Sequence, residues 1–179
     1  MIYEFDGMVP DIDQTAYVSE SAVVIGNVRI GPYCYVGPQA VIRGDSHGSP
    51  ITVGYGTAVE EGVIIHVGGK NARCCIGDRV TIGHGAIVHC NSLGSNSSVG
   101  MGAVLSLYSE IGEYTVVAEG AVVTKRQVVP ERVVVGGTPA KVIRSLEERD
   151  LEDWDNTKEW YIGLAKKYMT PGMLQRIDY

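Results

Sequence analysis

The sequence predicts an all-β solenoid: a left-handed parallel β-helix of hexapeptide repeats, followed by a C-terminal α-helix. Three observations predict it. Aliphatic residues recur every six positions through most of the chain. A small residue stands two positions before most of them. Glycine is abundant at 23 while phenylalanine occurs once, a composition for short strands around a narrow interior rather than a bulky aromatic core. At 179 residues the chain is one domain with a short appendage. We divide it into a lead-in strand over 1–10, the β-helix over 11–140 and a helical segment over 141–179 packed on the β-helix.

The repeat begins at Ile12 and runs through Val18, Val24, Ile30, Val36 and Ile42. It resumes at Val53, Val59 and Ile65, again at Ile76, Ile82 and Val88, and again at Val99. From there it holds to Val135. Ala16, Cys34, Ala40, Cys74, Ala86 and Ala103 are among the small residues two positions earlier. This is neither a helical period of 3.6 nor a strand period of two. Six residues make one short strand and one corner, and three such units close a triangular coil of about eighteen residues that must stack to bury its apolar side. The left-handed sense is the exception to the right-handed rule for parallel crossovers. Glycines such as Gly31, Gly54 and Gly77, just after the aliphatic residue, are expected to supply backbone freedom at the corners. A sandwich would space its turns at about 8–12 residues.

The repeat skips three times, between Ile42 and Val53, Ile65 and Ile76, and Val88 and Val99. Each skip is eleven residues instead of six. The expectation is three coils of 23 residues, with inserted loops at Ser46–Pro50, Gly69–Arg73 and Ser92–Asn96 projecting from one edge. Pro139 ends the pattern. Beyond it, Tyr161, Leu164, Ala165 and Tyr168 form one apolar helical stripe, with Asp155 or Asn156 as N-cap and Pro171–Gly172 as stop.

The formal charge of −6 argues against a nucleic-acid surface. The acidic run from Glu147 to Asp155 reads as a solvated helix face. No apolar run reaches membrane-spanning length, and the N-terminus carries no secretory pattern. Four cysteines, two of them adjacent at Cys74–Cys75, are too few for a disulfide framework and read as small core residues. A reducing, cytoplasmic setting is expected.

Three of the four histidines lie between Arg43 and Cys90. Ile42, Ile65 and Val88 are stacked equivalents, so Arg43, His66 and His89 stack outside the same corner. Neighbouring coils lie about 4.8 Å apart, close enough for two imidazoles to share one metal at about 2.0–2.1 Å. His84 follows Ile82 by two residues and lies on the preceding face. It is expected to reach the His66–His89 pair of a neighbouring chain around a three-fold axis. Three neutral imidazoles leave the fourth position of a tetrahedral metal open, the catalytic pattern. His47 reads as an ordinary surface histidine.

These residues carry a resemblance over most of the chain. Arg43-Gly44-Asp45, Ile51–Gly54, Thr57, His66, the run IGDRVTIGH ending at His84, AIVHC with His89, Met101–Val104 and GTPAKVIR at Gly137–Arg144 resemble the gamma-class carbonic anhydrase family of hexapeptide-repeat proteins. The resemblance implies a homotrimer with zinc (or iron or cobalt) between subunits, two histidines coming from one chain and one from its neighbour. It implies reversible CO2 hydration by a metal-bound hydroxide. Arg43 and Asp45 are then expected to form interface salt bridges that order the site, and Tyr161 to reach it from the C-terminal helix. The family usually reads TNIQD where this chain has Thr57-Ala58-Val59-Glu60-Glu61. Glu60 replaces the glutamine that holds the metal-bound water and is expected to act as a general base or proton shuttle, while Glu61 keeps an acid. No carboxylate stands at Gly68–Arg73, where the family's best-known members carry an acidic shuttle loop.

Two further readings share the prism. One is a hexapeptide-repeat acyltransferase or a related enzyme of CoA thioesters, in which a histidine is the general base and CoA lies between prisms. The other is a metal-binding scaffold with little activity. In the enzyme readings the substrate is a small molecule, and no reading needs nucleic acid or membrane.

Overall fold

The computed structural model describes residues 1–68 and 72–177. The chain winds a triangular prism, a left-handed β-helix with one helix on its flank. Among the described residues the prism has faces of seven, seven and eight strands. The first face stacks Val24, Ile42, Ile65, Val88, Leu105 and Val123 in register. On the second, Ile30, Val53, Ile76, Leu93, Ile111 and Val129 align. Val36, Val59, Ile82, Val99, Val117 and Val135 align on the third. All of these are at most 3% exposed, so they fill the axis of the prism. The N-terminal residues Ile2–Tyr3 add an edge strand to the first face, and a turn at Phe5–Met8 leads to the first coil.

The third expected insertion is not there. Ser92–Leu93 is a strand of the second face, with Leu93 opposite Ile76 and Ile111. Leu93 comes five residues after Val88, so a search at six passes over it. That coil is shortened by one residue to 17, counted from Ile76 to Leu93, and only two coils reach 23. The insertion at Ser46–Pro50 stands; residues 69–71 of the next lie outside the described residues.

The corner glycines also work differently from the expectation. Gly54, Gly77, Gly100 and Gly112 have no positive φ. A Cβ on Gly100 would sit 2.4 Å from the Glu119 nitrogen, and one on Gly77 2.7 Å from the Ser95 nitrogen. They are needed because stacked coils touch backbone to backbone. The left-handed conformation falls two residues later: Tyr33, Gln39, Gly56, Arg79, Asn96 and Tyr108 all have φ between 53° and 64°. A non-glycine residue there costs about 1–2 kcal/mol, and the stacked neighbours hold it. The turn is broken at one corner. Asp45, Gly68 and Asn91, three residues after Ile42, Ile65 and Val88, do not adopt it. That corner, between the first and second faces, carries both insertions, the deletion and two histidines.

After the prism, Lys141–Ser145 turns back antiparallel to Val133–Gly136, so the appendage opens with a strand. The helix spans Glu148–Met169 and its N-cap is Glu147, in a capping box with Asp150; the expected N-cap residues Asp155 and Asn156 lie within it. It lies along the third face. Tyr161, Leu164, Ala165 and Tyr168 pack on Tyr17, Tyr35 and Ala58, as their spacing predicted. Ile162 fits over Gly56, where a Cβ would stand 2.7 Å from its Cδ1. Lys158 is buried and bonds the Ser97 carbonyl (3.3 Å) and Ser98 Oγ (2.9 Å). The acidic run is not wholly solvated: Asp155 pairs with Arg79 and Asp150 with Arg144. No helix among the described residues is long and apolar enough to cross a membrane.

Candidate active site

The irregular corner brings Arg43, Asp45, His66 and His89 together. Strand pairing sets His66 beside Arg43 on adjacent coils. The His66 and His89 rings stack with centroids 4.9 Å apart and planes inclined by 35°. Asp45 Oδ1 is 3.3 Å from His66 Nε2, and Arg43 Nη1 holds Asp45 Oδ2 at 3.2 Å. His89 Nε2 is buried and has no hydrogen-bond partner among the described residues. Burial lowers the His89 pKa, with smaller contributions from His66 and Arg43. A Cβ on Gly68 would be 3.7 Å from His66 Nε2 and 4.0 Å from His89 Nε2. Both Nε2 atoms therefore border the space that this glycine leaves open.

His84 belongs to a different corner, between the third and first faces. Its Nδ1 lies 2.7 Å from Glu61 Oε2 and its Nε2 3.1 Å from Glu60 Oε2. The His84 backbone N–H also donates to Glu60 Oε2 at 3.1 Å. The Glu60 side chain is only 7% exposed, whereas His84 is 50% exposed. Behind the carboxylates stand two tyrosines. Tyr35 donates its hydroxyl to Glu61 Oε1 at 2.6 Å, and Tyr161 hydrogen-bonds Glu60. Burial raises both phenol pKa values, and the facing carboxylates raise them further, so both remain donors. Tyr161, expected to reach the metal site from the helix, reaches Glu60. Tyr35 was not anticipated, because a tyrosine at the outward position of a strand gives no sign of what will cover it. Ala58 is small because the helix lies on it.

The three histidines thus flank the two edges of one face. Between them the outward residues Ile64 and Ile87 are 43% and 42% exposed. Among the described residues no group of three His, Cys, Asp or Glu side chains converges as a metal site within the chain. His47, in the Ser46–Pro50 insertion, pairs with Asp6 at 2.5 Å.

No family model matches the chain. Curated relatives do. The carnitine operon protein CaiE of Proteus sp. (strain LE138) is 37% identical over 161 residues, covering 89% of this chain and 80% of that protein. CaiE of Escherichia coli K12 is 38% identical over 160 residues, 88% of this chain and 80% of that one. The chain belongs to the CaiE family. Solved structures extend the likeness to transferases. A hexapeptide transferase family protein from Anaplasma phagocytophilum superposes with a TM-score of 0.87 at 32% identity, covering 94% of this chain and 98% of that one. A candidate acetyltransferase of Bacillus cereus gives 0.90 at 29% identity, over 94% and 96%. Perosamine N-acetyltransferase from Caulobacter crescentus, solved with CoA and GDP-perosamine, gives 0.52 at 26%, over 70% of this chain and 54% of that one. These findings overturn the expectation of CO2 hydration. The fold-wide likeness is to CaiE proteins and transferases. The hexapeptide-repeat part of the resemblance holds.

Proposed function

We propose that this CaiE-family chain transfers an acyl group from a CoA thioester to a small-molecule acceptor, with His84 as general base. The observation that carries the reading is the setting of His84: a half-exposed imidazole flanked by Glu61 at 2.7 Å and Glu60 at 3.1 Å. A base held by a carboxylate is the common arrangement for activating a nucleophile. The acceptor's N–H or O–H oxygen or nitrogen attacks the thioester carbonyl carbon, and its proton passes to His84. The two carboxylates flank the imidazolium that forms. The carbon–sulfur bond then breaks, and the CoA thiolate leaves with the proton from His84. The products are the acylated acceptor and free CoA thiol.

The reading includes homotrimeric assembly. His66 and His89 stand at one edge of the first face and His84 at the other, so a ring of three prisms can join unlike edges. Thiol release from a panel of acyl-CoA thioesters, with amine and alcohol acceptors, tests the activity. Acceptor-dependent release that His84→Ala abolishes is the expected result. Equal release by His84→Ala, or none with any pair, rejects the reading.

A second reading rests on a different observation, the buried and unpartnered His89 Nε2. Zinc, iron or cobalt fits the donor set of His66, His89 and His84 of a neighbouring copy. A bound metal would supply Lewis acidity toward a substrate carbonyl. Arg43 and Asp45 would steady His66 from behind. Metal analysis of the protein as purified tests it: about one ion per chain is expected, and its absence in protein grown with each metal rejects it.

A further inference from the structure

Tyr35 lies outside every feature that pointed to the site, yet it completes a chain of polar contacts to His84. Its hydroxyl donates to Glu61 Oε1 at 2.6 Å, a length typical of a bond to an ionised oxygen. The other Glu61 oxygen lies 2.7 Å from His84 Nδ1. The Tyr35 ring is fixed in turn. It stacks on Tyr17 (5.5 Å between centroids) and touches Tyr161 (5.4 Å) and Tyr168 (6.0 Å) of the helix. Residue 35 is 3% exposed.

The donor inventory decides what this arrangement does. A neutral imidazole has one N–H and one lone pair. Both His84 nitrogens face carboxylate oxygens, so the N–H can serve only one of them. A bare lone pair 2.7 Å from a carboxylate oxygen is repelled; at 3.1 Å, facing Glu60, the repulsion is weaker. Glu60 is also engaged by the His84 backbone N–H and by Tyr161. We infer that Tyr35 is a positioning residue: by holding Glu61 in place it keeps the His84 proton on Nδ1, and so makes Nε2 the reactive nitrogen. The inference rests on His84 as the working histidine, whether Nε2 takes a proton or binds a metal. It also gives the C-terminal helix a chemical role, because Tyr161 and Tyr168 hold the ring that holds Glu61.

Tyr35→Phe tests it, since the ring packing survives and only the hydroxyl goes. Histidines labelled with 15N report the tautomer directly through their ring nitrogen shifts. His84 is assigned by the signal missing from His84→Ala. In the parent protein His84 is expected as the Nδ1–H form. In Tyr35→Phe its ring nitrogen shifts move toward a mixture of tautomers, while those of His47 stay put. Acyl transfer is expected to lose about 10-fold in kcat with KM for the thioester unchanged, the usual scale for a group that orients a working histidine. Unchanged His84 shifts in Tyr35→Phe overturn the inference whatever the activity does. A parent protein with the proton on Nε2 overturns it too. Loss of all acyl transfer in the parent protein rejects the proposed function alone, because the tautomer is read without turnover.

Discussion

The two edges of the first face treat their histidines in opposite ways. At one edge His84 is crowded with partners: two carboxylates on its ring and two tyrosines behind them. At the other, His89 Nε2 is buried with no partner among the described residues, and His66 has a single carboxylate oxygen at 3.3 Å. The first edge is finished within the chain, and the helix finishes it. The second is left open by a corner whose regular turn has been broken. A polar nitrogen buried without a partner costs about 1–3 kcal/mol, a cost that a ligand shared with His66 would remove under the metal reading. Orientation and incompleteness are separate signs of function, here on opposite sides of one sheet.

The largest effect is expected from cutting the finished edge. His84→Ala should lower acyl transfer by about 1,000-fold, within the span usual for a general base. His89→Ala should cost far less if the edges do different work, and should still abolish any metal binding. Equal losses in the two variants would merge the edges into one constellation shared between chains. Kinetics and metal analysis on the same preparations separate the cases.

How much of this contrast was legible beforehand follows from where each residue stands in the repeat. A six-residue period reports inward positions faithfully, so the prism, the stacking of Arg43, His66 and His89, and the separate place of His84 could all be counted out. The same period hid Leu93, because deleting one residue at a corner shifts the phase and resembles an insertion. Outward residues are silent about their covers. Glu60 and Glu61 were visible as acids near the site, but their grip on His84 depends on turn geometry. Tyr35 was invisible, since its role needs the helix to return along the third face. Chemistry was the least legible part. The histidine spacing fits a metal, while the likeness across the whole fold runs to CaiE proteins and transferases.

The next effect acts on the helix that completes the finished edge. Lys158, on the inner side of that helix, is buried with no carboxylate hydrogen-bonded to its amine among the described residues, and its pKa is lowered to about 8, first by burial and then by Arg79. The unfolded value is higher, near 10.5, so between these values the unfolded chain binds the extra proton. Stability therefore rises with pH across that window. Below about pH 8 both states carry the charge and its burial is opposed in full; above about 10.5 the relief is complete, at roughly 3 kcal/mol. The Cys34 and Cys74 thiols, whose pKa values are raised, pull the other way above their unfolded value near 9, so the contribution is read as a difference: between pH 7.5 and 9.5 the urea midpoint of the parent protein should gain on that of Lys158→Met. An equal change in the two proteins would place its source in another group.

The smallest effect is expected at the open edge, where one added methyl group should suffice. A Cβ on Gly68 would stand 3.2 Å from His66 Cε1 and within 4.0 Å of both Nε2 atoms. No positive φ is involved, so the backbone accepts alanine and only the shared space shrinks. The His66 ring can yield by a few tenths of an ångström, which limits the penalty to about 1 kcal/mol, the lower end for crowding a packed site. For a ligand held by both nitrogens this is about a 5-fold loss of affinity. Zinc titrations of Gly68→Ala and the parent protein measure it, and the His84 nitrogen shifts should not move. Affinity equal to the parent's would mean that the two Nε2 atoms do not serve one ligand, and the open edge would then be open for another reason.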